Sequence, residues 1–214
     1  MKLLLIGNNH IYQNNLPETV RSLLEMTGQK SHVTLLFAPG KTLSQHAADA
    51  GVRFNITFGR YDAVVAQERA FGFSPDAFRT AAASLFSLCR AAGTVFYPFM
   101  PFVGRENREA QLSMADTFLS FCRAEKLSFI PAGEVFTRLL TDLPAETLYA
   151  PDGRHASPFG SYAAALSVFY TLTSRRRALI PETFKDPGLA AGFDPARCRR
   201  AHQEACHTVR LYNG

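Results

Sequence analysis

The stretch Lys2-Leu3-Leu4-Leu5-Ile6-Gly7-Asn8-Asn9-His10 decides how the rest of the chain is read. Its apolar run, Leu3–Ile6, is too short for a helix and stops at a glycine and two asparagines, residue types that favour turns. Leu16, Val20, Leu23 and Leu24 then recur at helical spacing, with Asn15 and Glu18 placed as a capping box, Pro17 in an early turn and Gly28 as a stop. This reads as a strand passing through a short loop into an amphipathic helix. The same alternation repeats outward. Strands are predicted at His32–Ala38, Tyr61–Ala66, Thr94–Pro98 and Ser128–Ile130. Helices are predicted at Thr42–Ala50, Asp76–Ala91, Glu106–Glu125, near Glu134–Leu140, and from Pro158 to about Thr173 with Ser157 as N-cap. Strand–helix alternation makes a parallel sheet with helices on both faces. Its crossovers are right-handed, and ligands bind beyond the carboxyl ends of its strands.

The chain has 214 residues, 47% apolar and 19% charged, which suits one domain and excludes disorder. No apolar run approaches the ~20 residues of a membrane-spanning helix. The four-residue run near the start falls short of the ~7–15 of a secretion signal. The reading is a cytoplasmic protein with no membrane partner. The formal charge is +5, and residues 175–214 carry most of it, with eight Lys/Arg against four Asp/Glu. This stretch, a linker over Ile180–Pro195 and a helix over about Pro195–Leu211, is read as an appendage of the same domain that spans residues 1–174. A basic surface suits an anionic partner or plain solvation. No aromatic-interleaved basic stripe accompanies it, so no nucleic-acid partner is expected. The four cysteines form no C-x-x-C pair and read as reduced, buried residues. Cys198, His202 and Cys206 fall on one helix face without a fourth ligand nearby, so no metal is expected.

If ligands sit at the strand ends, the informative loops are Gly7-Asn8-Asn9-His10, Pro39-Gly40-Lys41-Thr42, Gln67-Glu68-Arg69 and, before the helix at Pro158, Asp152-Gly153-Arg154-His155. An aspartate three residues before a histidine in a tight loop can bond its Nδ1, fix the tautomer and leave Nε2 as a base. A polar loop that merely caps a helix has the same spacing, and both readings stand. Phe96, Tyr97, Phe99, Met100 and Phe102 read as core, with some able to wall a pocket.

These residues resemble the SGNH (GDSL-type) hydrolases, which open with a strand running into Gly-Asp-Ser or Gly-Asn-Ser and close with Asp-x-x-His before the last helix. Leu5-Ile6-Gly7-Asn8-Asn9 and Asn14-Asn15-Leu16-Pro17 are similar to a branch that begins Ile-Gly-Asn-Ser and continues into Asn-x-Leu/Met-Pro. Tyr61–Glu68 is similar to that branch's third-strand motif, which ends in Gln-Glu. The resemblance covers roughly residues 1–174. It implies a three-layer α/β/α, flavodoxin-like fold with a five-stranded parallel sheet. It implies a serine esterase that needs no metal or cofactor and takes a small acyl ester, such as a carbohydrate acetyl, as its partner. His155 would be the general base and Asp152 its orienting partner. Gly40 N–H, the Gln67 side chain and the N–H at position 9 would be oxyanion donors. Asn8 would brace the first loop, and Asn8, His10 and Glu68 are the candidate substrate-binding residues; from the residues alone, His10 either lines the pocket or covers the loop, and Glu68 reads as a local ion pair with Arg69.

The departure is at the nucleophile slot, which holds Asn9. A carboxamide has no hydroxyl for His155 to activate. Three explanations remain open: an introduced Ser→Asn change that traps substrate, a natural relative that binds small molecules or carbohydrates without turnover, and chemistry in which another group or a water attacks. A nucleotide-binding α/β domain is the weaker alternative, since the first loop carries neither G-x-G-x-x-G nor a Walker motif. The oligomeric state is left open.

Overall fold

A computed structural model describes residues 1–214. Its elements in chain order are β1 (Lys2–Gly7), α1 (Asn9–Tyr12), α2 (Leu16–Glu25), β2 (His32–Phe37), α3 (Leu43–Ala48), α4 (Ala50–Phe58), β3 (Ala63–Gln67), α5 (Pro75–Ala91), β4 (Val95–Phe99), α6 (Glu109–Glu125), α7 (Ala132–Leu139), α8 (Ala145–Leu148), α9 (Pro158–Thr173), α10 (Pro187–Ala190) and α11 (Pro195–Asn213). All strand pairings are parallel, in the order β2-β1-β3-β4. Leu3 and Leu5 of β1, with Ala63 and Val65 of β3, pack into one core that includes α2, α7, α9 and α11. Leu4, Ile6, Val64 and Ala66 point the other way, into a core with α3, α4, α5 and α6. Period-two alternation in apolar strands thus builds the three layers, because both faces of a parallel sheet are covered.

The sheet has four strands where five were expected. Ser128–Ile130 contributes one parallel bridge, Phe99 to Ile130. Pro131 follows at once, lacks an N–H for the ladder, and precedes α7, so pairing ends there. The backbone of Phe129 is satisfied from elsewhere: its N–H donates to Asn213 Oδ1 at 3.0 Å, and Asn213 Nδ2 donates to its carbonyl at 2.8 Å. The end of α11 therefore blunts this edge of the sheet.

Two other expectations change. Asn15 does not cap α2; it lies in the left-handed region at φ 54° and its side chain makes no cap bond. The predicted helix Thr42–Ala50 breaks at Asp49, whose ψ of 122° leaves the helix and whose carboxylate accepts from Gly51 and Val52 N–H to start α4. Ser157 caps α9 as expected, accepting from Gly160 N–H at 2.9 Å.

The predicted linker holds α10 and the start of the device that fixes the C-terminal segment. Asp186 is fully buried and accepts from Tyr162 OH, Gly188 N–H, Leu189 N–H and His202 Nε2. His202 Nδ1 in turn meets Tyr170 OH at 2.7 Å, and that hydroxyl accepts from Leu179 N–H. Cys198, Ala201, Ala205 and Cys206 of α11 belong to the same core as α9. Residues 175–214 are thus welded to α9 by a satisfied polar network inside an apolar interface. His202 is committed to Asp186 and Tyr170, and no cluster of three His, Cys, Asp or Glu side chains in the chain is arranged to hold a metal.

Candidate active site

The carboxyl ends of β1 and β3 and the loops after β2 and before α9 meet at one rim. β1 delivers Asn8, whose side chain accepts from His10 N–H and starts α1. Asn8 and Gln67 are locked pairwise: Gln67 Oε1 accepts from Asn8 N–H at 3.0 Å, and Gln67 Nε2 donates to Asn8 Oδ1 at 2.9 Å. Gln67 Nε2 also donates to Glu68 carbonyl at 2.7 Å. Gln67 has no exposed surface and both its amide hydrogens are engaged. The geometry makes it a brace for the first loop rather than a free oxyanion donor. Asn8 Nδ2 ties the same loop to the second by donating to Lys41 carbonyl at 3.0 Å, so Asn8 too acts as a brace.

Glu68 does not pair with the Arg69 guanidinium. It is 4% exposed, and its carboxylate accepts from Leu43 and Arg69 N–H, so it starts α3 from across the loop. Burial pushes its pKa up, opposed by those two backbone donors. The guanidinium of Arg69 reaches Gly40 carbonyl at 3.2 Å instead.

Asn9 and Gly40 touch directly: Gly40 N–H donates to Asn9 Oδ1 at 3.2 Å. Gly40 sits at φ +64° with open space where a side chain would project. The turn needs a residue that tolerates this conformation, and the N–H faces Asn9.

Asp152 and His155 form the expected local pair. Asp152 Oδ2 meets His155 Nδ1 at 2.5 Å, while Asp152 Oδ1 accepts from the N–H groups of Arg154 and His155. These donors, the His155 N–H first, hold the Asp152 carboxyl well below the usual carboxylate range. With Nδ1 engaged by Asp152, Nε2 is the ring nitrogen left free. The loop is pinned at its base by Ala150 N–H to His155 carbonyl and by Ser157 N–H to Leu148 carbonyl.

His10 links the two halves. Its ring lies 5.8 Å from that of His155 and stacks on Phe102 at 4.4 Å. Its Nδ1 is sealed from solvent with no partner. Burial, then repulsion from His155, brings its pKa down to about 3, so its ring is uncharged at neutral pH. Of the apolar cluster in and just after β4, Phe96, Phe99, Met100 and Phe102 are all core and Tyr97 is half-buried, and Phe102 stacks on His10.

Asn14 joins the first loop to the last. Its Nδ2 donates to Ala156 carbonyl at 3.0 Å and to Ser161 Oγ at 2.8 Å, with its backbone at φ 51°. The two asparagines before Leu16-Pro17 were the signal, because asparagine tolerates the left-handed region. The rim is open: the His155 and Asp152 side chains are 31% and 48% exposed. Concavities of about 340 and 260 Å³ lie elsewhere, against the Gly192–Arg197 turn and beside β2.

The fold is a three-layer α/β arrangement in which the loop before α9 carries an Asp–His pair and the loop after β1 carries two asparagines. No model of a protein family matches the chain, and no curated protein matches it. Solved structures do. A protein from Slackia heliotrinireducens assigned to the SGNH hydrolases is 26% identical, with a TM-score of 0.66 over 80% of this chain and 98% of that one. A DUF4886 family protein from Bacteroides uniformis is 17% identical, with a TM-score of 0.81 over 100% of this chain and 96% of that one. Axe2, an acetyl-xylooligosaccharide esterase from Geobacillus, is 16% identical, with a TM-score of 0.64 over 78% of this chain and 91% of that one. The fold is therefore that of the SGNH hydrolases and esterases. The Bacteroides protein matches the whole chain, so the last forty residues have a counterpart there. No helix is long and apolar enough to cross a membrane.

Proposed function

We propose that this chain is an esterase-type scaffold for a small acyl ester, of the carbohydrate-acetyl class, with Asn9 in the nucleophile position. One observation carries the reading: Gly40 N–H meets Asn9 Oδ1, Asp152 holds His155, and the His155 ring lies 5.8 Å from that of His10, the residue after Asn9, so loops from three parts of the chain come together. The acetyl-xylooligosaccharide esterase and the family 3 carbohydrate esterase of Clostridium thermocellum among the structural neighbours support the substrate class.

In a chain with serine at position 9, His155 Nε2 would take the hydroxyl proton as oxygen attacks the acyl carbon. Asp152 would hold the imidazolium that forms, and Gly40 N–H would meet the developing oxyanion. As the chain stands, the Asn9 carboxamide has no proton to give up in this way. Its oxygen takes the Gly40 N–H that the oxyanion would use. That second fact favours a binding role for the present sequence, since the donor is occupied.

The experiment is Asn9→Ser, assayed on a chromogenic short-chain acetate. Hydrolysis is expected to rise by several orders of magnitude over the unaltered chain, on the scale of the ~10⁶ lost when such a serine is removed. His155→Ala in the same background abolishes it. A folded Asn9→Ser protein with no gain overturns the esterase reading. If the role is binding alone, His155→Gln leaves affinity for an acetylated sugar unchanged.

A further inference from the structure

Arginines collect where the site opens. Arg69 Nη1 donates to the carbonyl of Gly40, the residue whose N–H meets Asn9. Its Nη2 lies beside Gly72, and its Nε is sealed from solvent with no partner. Arg154, next to His155, places its guanidinium 5.9 Å from the ring centre of Phe71. Arg105 donates its backbone N–H to Gly153 carbonyl at 2.8 Å and lays its side chain against Gly153. Arg69 and Arg154 thus both border the Phe71-Gly72 turn, and Arg105 borders Gly153, the residue before Arg154.

None of the three has a carboxylate within ion-pair distance. The acids of this rim are occupied: Asp152 holds His155, and Glu68 holds two backbone N–H groups. Positive charge is thus left over beside a site whose own carboxylates are internally satisfied. Phe71 adds an independent observation. It is 78% exposed beside the Arg154 guanidinium, and a large flat apolar ring of this kind buries area against whatever ring stacks on it.

We propose that the ester taken by this rim is an acylated sugar that also carries an oxyanion, a carboxylate or a phosphate, received by Arg69, Arg105 and Arg154 while its ring lies on Phe71. The inference rests on the esterase-type reading of the same site and narrows its substrate. Guanidinium groups suit this task because their N–H forks match both carboxylate and phosphate oxygens.

The test separates the two claims. Calorimetric titration of the unaltered protein at low salt compares three probes: an O-acetylated methyl glucoside, the matching O-acetylated methyl glucuronoside, and the matching O-acetylated glucoside 6-phosphate. At least one charged probe is expected to bind tenfold or more tightly than the neutral one, and the uronate and phosphate arms identify which oxyanion is preferred. The preference is expected to shrink with added salt and to disappear in Arg105→Gln/Arg154→Gln, two exposed positions whose change leaves the core intact. Equal affinity for all three probes, no binding of either charged probe, or a preference that survives the double variant overturns the inference. The esterase reading is scored apart from it, by turnover of a neutral acetate in Asn9→Ser. Turnover without charge preference removes this inference alone; charge preference without turnover removes the esterase chemistry alone.

Discussion

Replacing Asp186 by alanine probes what holds the C-terminal segment to the fold. The carboxylate is 1% exposed and accepts from Tyr162 OH at 2.9 Å, Gly188 N–H at 2.8 Å, Leu189 N–H at 3.1 Å and His202 Nε2 at 3.0 Å. Alanine leaves these donors without an acceptor in a site that water does not reach. An unsatisfied buried polar group costs about 1–3 kcal/mol, and here four donors lose their acceptor at once. The donors share one acceptor and relax together, so the expected loss is about 3–5 kcal/mol rather than a sum over bonds. For a chain of this size, each kcal/mol moves the melting temperature by about 2–4 °C, so a drop of roughly 6–20 °C is expected by circular dichroism. Asp186→Asn, which keeps an oxygen for the backbone donors, should lose less. A drop below about 3 °C in Asp186→Ala would refute the claim that this carboxylate anchors the segment. So would a double-mutant cycle with His202→Phe that shows no coupling.

Ser157→Ala removes the cap of α9 and the bond from Ser157 Oγ to Thr147 carbonyl; a loss of about 1–2 kcal/mol is expected in chemical denaturation, and an unchanged midpoint contradicts it. Gly7→Ala would place a Cβ 2.5 Å from Gln67 Oε1 and 2.9 Å from Ile11 Cγ2, so the brace beneath Asn8 must shift; a cost of about 1–3 kcal/mol follows, and a melting temperature equal to the parent's refutes the crowding. His10 is held at about 3, below its ordinary 6.5, so the unfolded chain binds the extra proton between those values. Its contribution to stability is complete above about pH 6.5 and falls toward about pH 3, by at most ~1.4 kcal/mol per pH unit. His10→Phe keeps the stack on Phe102 and should flatten the melting temperature between about pH 7 and pH 4.5; a profile as steep as the parent's counts against a neutral His10.

What was legible in the sequence was what is local. β1, β3 and the caps of α9 could be read because an apolar run, a serine and a proline fix each one within a few residues. The Asp152–His155 pair was legible for the same reason, its partners lying three positions apart. The fifth strand was over-read because three β-like residues look the same whether or not a proline then leaves the ladder. Gln67 was misassigned because its partner, Asn8, is 59 residues away, and nothing in either residue reveals that both amide hydrogens will be used internally. The Asp186–His202 network was invisible for a stronger reason. An aspartate in a proline- and glycine-bearing stretch reads as solvated turn chemistry, and only the packing of α11 on α9 seals it. That packing also connects the segment to the site. α9 carries Tyr162 and Tyr170, which hold the network, and Ser161, which with the Ala156 carbonyl receives Asn14 from the first loop. The C-terminal segment and the His155 loop therefore grip the same helix. Asp186→Ala should loosen the link from Asn14 to the His155 loop as well as the segment itself, and faster amide exchange at Ala156 and Ser157 in that variant is the expected sign.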